Sequence, residues 1–282
     1  MEIFSQLEDT NLNYNYFYED LLQVLLSLSI FSKFSGVNYR ILFKLLTESK
    51  EKISQTLWIS VSEHIMTVLS LLATTKVKIE GDTIKSMIYF SSSFITFILS
   101  LFESVPDKII LKDKINLNQM YRNLSKVVDI QLQIDLENEF PDYKIVSNKE
   151  TIDLLLSIQI LKKFIIEKIE HIDDLYDSSC ITCLGYFGKL FKKYSLSSEE
   201  DTPLIQVIQF ELDTLLPKFL KFLNEKELRI VFDSLIDFID SKNANLRSSA
   251  KQFLKQFVSN KLCKFIPYSE THPEEKNKET KE

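Results

Sequence analysis

Apolar residues recur at three- and four-residue steps through most of this 282-residue chain, the spacing that gathers side chains on one face of an α-helix. The pattern predicts about ten helices. The first covers about Tyr16 to Phe34, with Leu21, Leu22, Val24, Leu25, Leu26, Leu28 and Phe31 on its apolar side, and Ser35-Gly36 closes it. Asn38 can cap a second helix to about Thr47. A third, about Glu51 to Leu72, carries the sole tryptophan, Trp58, in step with Val61, Ile65, Val68 and Leu72. Asp82 can cap a fourth, which ends near Glu103 because Pro106 disfavours helical geometry at the residue before it. Residues 105–116 mix Ile109, Ile110 and Leu111 with Lys and Asp and read as an extended loop or a short strand, although a lone strand has no sheet to join. A fifth helix spans about Leu117 to Glu137 and stops before Phe140-Pro141-Asp142-Tyr143.

The second half is more regular. Asn148 or Thr151 can cap a helix to about His171, and Ile152, Leu155, Leu156, Ile158, Leu161, Phe164, Ile165 and Ile169 give it a wide apolar face. Asp173 or Asp174 opens the next, to about Tyr194, and a polar loop, Ser195 to Asp201, follows. Thr202-Pro203 is a cap followed by proline at the first helical position, the start of a helix over Pro203–Leu223 in which Pro217 marks a bend or break. Glu227–Asp240 and Asn245–Ser259 complete the set, with Asn245 as cap of the last. From Ile266 the composition turns to proline and charge, so residues 266–282 read as a disordered tail. The rest, 1–265, reads as one helical domain, with two sub-arrays meeting near 138–150.

The helices are joined by short polar turns and have faces too wide for a single two-helix contact, which points to stacked helical hairpins. The clearest unit is Val231 to Phe257. Its first helix leads through Ser241-Lys242-Asn243-Ala244-Asn245 into a second that opens with Leu246-Arg247, places small Ala250 three positions after the arginine, and carries Phe253, Leu254 and Phe257. This unit resembles a HEAT repeat. A competing phase pairs Leu215–Leu220 with a second helix opening at Leu228-Arg229, but its turn is poorer. The resemblance implies an all-α fold, an α-solenoid of HEAT/armadillo-like hairpins. Arrays of that kind serve as transport receptors, tubulin-binding and phosphatase scaffolds, and the C-terminal regions of large Arf-GTPase exchange factors, to which the terminal pattern here is generically similar. It therefore implies a scaffold or adaptor that binds a protein partner, with membrane trafficking as one setting and nuclear transport or the cytoskeleton as another.

Composition narrows the picture further. Four glycines in the whole chain are few for a nucleotide-binding α/β fold or a β-barrel, where glycine serves positive φ and close phosphate approach. The formal charge is −6, from 34 Lys and Arg against 40 Asp and Glu, so no broad positive field invites nucleic acid. Three cysteines leave at least one thiol unpaired within the chain, which suits a reducing, cytoplasmic compartment. The acidic start, Met1-Glu2-Ile3-Phe4, lacks the pattern of a signal peptide, and the triplet Asn123-Leu124-Ser125 is then not expected to carry sugar. Ser86 to Phe102 is uncharged for 17 residues, near the lower length of a membrane span, yet six Ser and Thr dilute it. A core helix is the better account, with peripheral attachment to an endomembrane left open.

The candidate chemistry is sparse. Cys180 and Cys183, with His171 nearby, could supply part of a metal or redox site, but no second close pair follows; Cys263 and His64 are distant in sequence, and both cysteines fit one apolar helix face. Asp173-Asp174 and Glu199-Glu200-Asp201 are explained by helix starts and a polar loop. No phosphate-binding loop, kinase signature or zinc-protease motif occurs, so the expectation is a non-enzyme without catalytic residues, metal or cofactor. Lys189, Lys192 and Lys193, interleaved with Phe187, Phe191 and Tyr194, are the candidate contact for an acidic peptide or a membrane head group, against the plainer reading of a solvated helix face.

Overall fold

The computed structural model describes residues 39, 41–42, 55–74, 81–104, 114–137, 144–169, 172–176, 179–196 and 202–265. Among the described residues the fold is all-α, with eight α-helices and no strand. They are α1 (Gln55–Thr74), α2 (Gly81–Ser104), α3 (Lys114–Leu136), α4 (Lys149–Lys168), α5 (Ser179–Lys193), α6 (Pro203–Phe210), α7 (Glu225–Ile239) and α8 (Ala244–Phe265). The two helices expected before α1 lie outside the described residues, apart from Tyr39, Ile41 and Leu42, which are helical. So do residues 105–113, the loop from 197 to 201, and the tail from Ile266.

Local chemistry accounts for several helix ends. Asn148 caps α4 by accepting from the Thr151 N–H at 3.1 Å, and Thr202 caps α6 ahead of Pro203. Asn224 and Glu227 form a reciprocal capping box at α7. At the end of α5, Ser195 takes a left-handed φ of 49°. Its N–H bonds to Lys192 O at 3.1 Å and that of Leu196 to Phe191 O at 3.1 Å, a Schellman closure with serine where glycine is usual.

Three expectations need correction. Asp173 and Asp174 do not open a helix; they sit in a 3₁₀ turn, Ile172–Leu175, and α5 begins at Ser179. The cap of α8 is Asn243, whose Oδ1 accepts from the Leu246 N–H at 2.8 Å, because the helix starts one residue before Asn245. Finally, α2 begins at Gly81, so Asp82 lies inside it. The break expected at Pro217 in the helix from Pro203 is present. Pro217 has no N–H to give and crowds the carbonyl four residues earlier, and the chain passes through a π turn at Glu211–Leu215 and a 3₁₀ stretch at Leu216–Phe222.

Packing skips one helix at each step. Helix α1 lies on α3, α3 on α5 and α5 on α7; likewise α2 lies on α4, α4 on α6 and α6 on α8, with α3–α4 and α7–α8 joining the two series. A helix with neighbours on several sides needs a wide apolar face, and α4 buries Ile152, Leu154, Leu155, Ile158, Leu161, Ile165 and Ile166. Trp58, Val61, Ile65, Val68 and Leu72 are all buried, as their spacing predicts. The uncharged stretch of α2 is core, with Phe94, Ile95, Phe97, Ile98 and Leu101 almost inaccessible, and no helix among the described residues is long and apolar enough to cross a membrane.

Candidate functional site

The two glycines of α5 are not turn residues. Gly185 and Gly188, one helical turn apart, face α7: a Cβ on Gly185 would meet Ile230 Cγ2 at 3.0 Å, and one on Gly188 would meet Ser234 Oγ at 2.9 Å. Their missing side chains let the two helix backbones approach closely. Ser234 completes the contact by donating to Ile230 O at 2.9 Å and across the interface to Leu184 O at 3.3 Å.

Above this contact lies a cleft of about 350 Å³, with Thr182, Tyr186, Lys189 and Lys192 on the α5 side and Ile230, Asp233 and Asp237 on the α7 side. Lys192 pairs with Asp237 at 3.0 Å across it. The Lys189 ammonium stands 5.4 Å from the centre of the Tyr186 ring. On the other flank of α5, Thr182 donates to Asp129 Oδ2 at 2.6 Å, and the Tyr186 hydroxyl accepts from Gln133 Nε2. Polar side chains thus bridge α3 to α5 and α5 to α7. The Thr182 and Ser234 hydroxyls are held by these bonds, and the charged rim of the cleft offers ion pairing and hydrogen bonding to a ligand.

The three lysines singled out by the sequence separate here. Lys189 and Lys192 belong to the cleft. Lys193 points the other way, donating to Asp135 Oδ1 at 2.9 Å and to the Asp135 carbonyl. Asp135 is fully buried, accepts from the Ile145 N–H at 2.5 Å and from the Tyr194 hydroxyl, and so ties the end of α3 to the segment entering α4 and to the end of α5. Lys193 is a structural cation.

A second buried polar cluster lies at the π turn. Lys162 and Glu211 face each other at 3.9 Å with almost no exposure, Gln159 Nε2 donates to Glu211 Oε2 at 3.1 Å and to Val207 O at 2.9 Å, and the Lys162 ammonium stands 5.2 Å from the Tyr121 ring centre. Sequence reading missed both clusters. The available signal was charge at apolar positions: Lys162 follows Leu161 on the buried face of α4, and Asp135 lies one turn after Gln131 and Leu132 on α3.

His64 packs against Tyr39 and Phe94, and burial lowers its pKa to about 4. The Tyr39 hydroxyl lies 3.4 Å from His64 Nε2, and burial pushes its pKa up. Cys183 is buried in the core. Cys180 lies in the first turn of α5 and Cys263 in the last turn of α8, with their side chains outside the described residues, as are His171 and Glu199-Glu200-Asp201. Among the described residues no group of three or more His, Cys, Asp or Glu is placed to hold a metal ion.

Comparison with protein-family models, with curated proteins and with solved structures gives no match.

Proposed function

We propose that this chain is a non-catalytic α-solenoid scaffold or adaptor that binds a protein partner along its helical surface. The observation that carries the proposal is the packing in two series, each helix lying on the one two places ahead. Hairpins that contact only their neighbours build a long surface rather than a closed pocket, and such surfaces recognise extended partners. The turn between α7 and α8 supports the HEAT-like phase set at residues 231–257: Arg247 donates to Ser241 O at 2.7 Å, Asn243 caps α8, and Ala250 is fully buried.

The α5–α7 cleft is the contact we assign on this surface, with Lys189 and Lys192 toward acidic groups of the partner and Asp233 toward basic ones. The generic similarity of the terminal pattern to Arf-GTPase exchange factors suggests membrane trafficking as the setting and a cytoplasmic location. Affinity purification from native cells, comparing the wild-type chain with Lys189→Glu/Lys192→Glu, tests both parts. Lys193 is left intact because its loss would strand buried Asp135. A reproducible set of vesicle-traffic proteins, depleted by the double substitution, is the expected result. A set from another pathway overturns the setting, and recovery of no specific protein overturns the adaptor reading.

A further inference from the structure

Five large apolar side chains stand exposed among the described residues, and three of them, Phe232, Ile236 and Val258, lie on the final helix pair. On α7, Arg229, Phe232 and Ile236 are spaced i, i+3, i+7, which puts them in one stripe; on α8, Lys251, Leu254 and Val258 repeat that spacing. The Phe232 ring meets Phe257, on the buried side of α8, edge-on with centroids 4.9 Å apart, which brings the α7 stripe up against α8. Ile236 is the most exposed of the five, at 58%. The inward side of α7 is separate, formed by Val231, Ser234, Leu235 and Phe238.

Each earlier helix of either series is covered by the helix two places on, whereas α7 and α8 have no such successor among the described residues. A helix laid on this face continues the established packing. Charge then selects which helix. The chain has more acids than bases, 40 to 34, yet α8 holds five cations, Arg247, Lys251, Lys255, Lys261 and Lys264, and no acid. Arg247 is engaged by the carbonyls of Ser241 and Lys242, while Lys251 and Lys255 are exposed, as is Arg229 on α7. Of the acids on α7, Asp233 and Asp237 line the α5 cleft, while Glu225 and the C-cap Asp240 stand exposed at the two ends of the stripe. A second copy docked through the same patch would set this cation-edged face against itself.

We propose that the α7–α8 face docks an amphipathic helix of a partner protein whose apolar stripe is bordered by Asp and Glu. The proposal rests on the adaptor reading above and adds a second contact to it. The test titrates the intact chain into two fluorescent synthetic helical peptides that share a leucine stripe, one bordered by Glu and the other by Lys, with anisotropy as readout. The Glu peptide should bind at least about tenfold more tightly, a discrimination of the size complementary charge supplies. Ile236→Asp, which changes an exposed side chain and keeps the wild-type circular dichroism, should weaken it about tenfold or more, as loss of a central apolar anchor does. Lys251→Glu/Lys255→Glu should abolish the preference, and Lys189→Glu/Lys192→Glu should leave it unchanged. Equal affinity for the two peptides, or none for either, overturns the proposal; with specific partners still recovered from cells, the adaptor reading survives that failure. Loss of binding only through Lys189 and Lys192 moves the contact to the α5–α7 cleft. A dimer dissolved by Ile236→Asp, or binding to phosphatidylserine vesicles lost in the same variants without peptide discrimination, assigns the face to a second copy or to a membrane and overturns the proposal as well.

Discussion

Replacing Gly188 by alanine sets two effects of similar size against each other. In a helix interior alanine is better than glycine by about 1 kcal/mol, so on propensity alone the change stabilises. In the folded chain the new Cβ would lie 2.9 Å from Ser234 Oγ and 3.3 Å from Ser234 Cβ. Ser234 is not at liberty to swing away without loss, because its hydroxyl donates to Ile230 O at 2.9 Å and Leu184 O at 3.3 Å. Helices α5 and α7 must separate, and overpacking of this kind costs about 1–3 kcal/mol. The clash therefore wins, with a net loss of about 1 kcal/mol once the propensity gain is subtracted. Gly185→Ala is the internal control: its Cβ would meet only Ile230 Cγ2 at 3.0 Å, the end of a movable side chain, so it should be neutral or slightly stabilising. Adding Ser234→Ala to Gly188→Ala removes the nearer atom and should recover on the order of 1 kcal/mol as a coupling energy. Urea unfolding followed by circular dichroism reads these three variants together with Ser234→Ala alone, which closes the cycle. If both alanines stabilise equally and position 234 shows no coupling, the glycines do not serve close helix approach and the reasoning fails.

Four further predictions test other parts of the fold. Lys162→Met leaves Glu211 buried without its cation and should cost about 3–5 kcal/mol, whereas Lys162→Met with Glu211→Leu should recover much of that in thermal unfolding. Asn243→Ala removes the α8 cap and should cost about 1–2 kcal/mol, while Asn245→Ala should change stability by less than about 0.5 kcal/mol; a larger effect at Asn245 would contradict the cap assignment. Ser195→Gly relieves a left-handed serine and should raise the urea midpoint, with a gain of up to about 1 kcal/mol. His64 takes a proton near pH 6.5 when unfolded and only near about 4 when folded, so the unfolded state binds more protons between those values. Its contribution to stability is full above about 6.5 and is lost as pH falls toward 4. His64→Phe should flatten the decline of the urea midpoint in that window; parallel profiles would refute it.

The all-α fold and most helix positions were legible in the sequence because both depend on local rules. A 3.6-residue apolar period forces a helix whatever it packs on, and Asn148, Thr202-Pro203 and Pro217 act on backbone groups within one turn of themselves. Trp58 and its partners on α1 were read as core from spacing alone. The errors arose where two local solutions lie close in energy: Asn243 and Asn245 are both competent caps, and the fold chooses Asn243 because Ser241 and Arg247 hold that turn. Asp173-Asp174 looked like a helix start and became a 3₁₀ turn against α3.

Tertiary structure alone decided the site. Lys189, Lys192 and Lys193 are indistinguishable as a basic group in sequence, yet a rotation of about 100° per residue sends Lys192 to Asp237 and Lys193 to Asp135. The glycine shortage noted at first excluded folds rich in turns but did not disclose that two of the four glycines sit inside one helix. Sequence determines which face of each helix is apolar, since that needs only the period along one chain segment. Which helix meets that face, and so which charges become partners, depends on contacts between residues about 50 positions apart, and these exist only once the helices have packed.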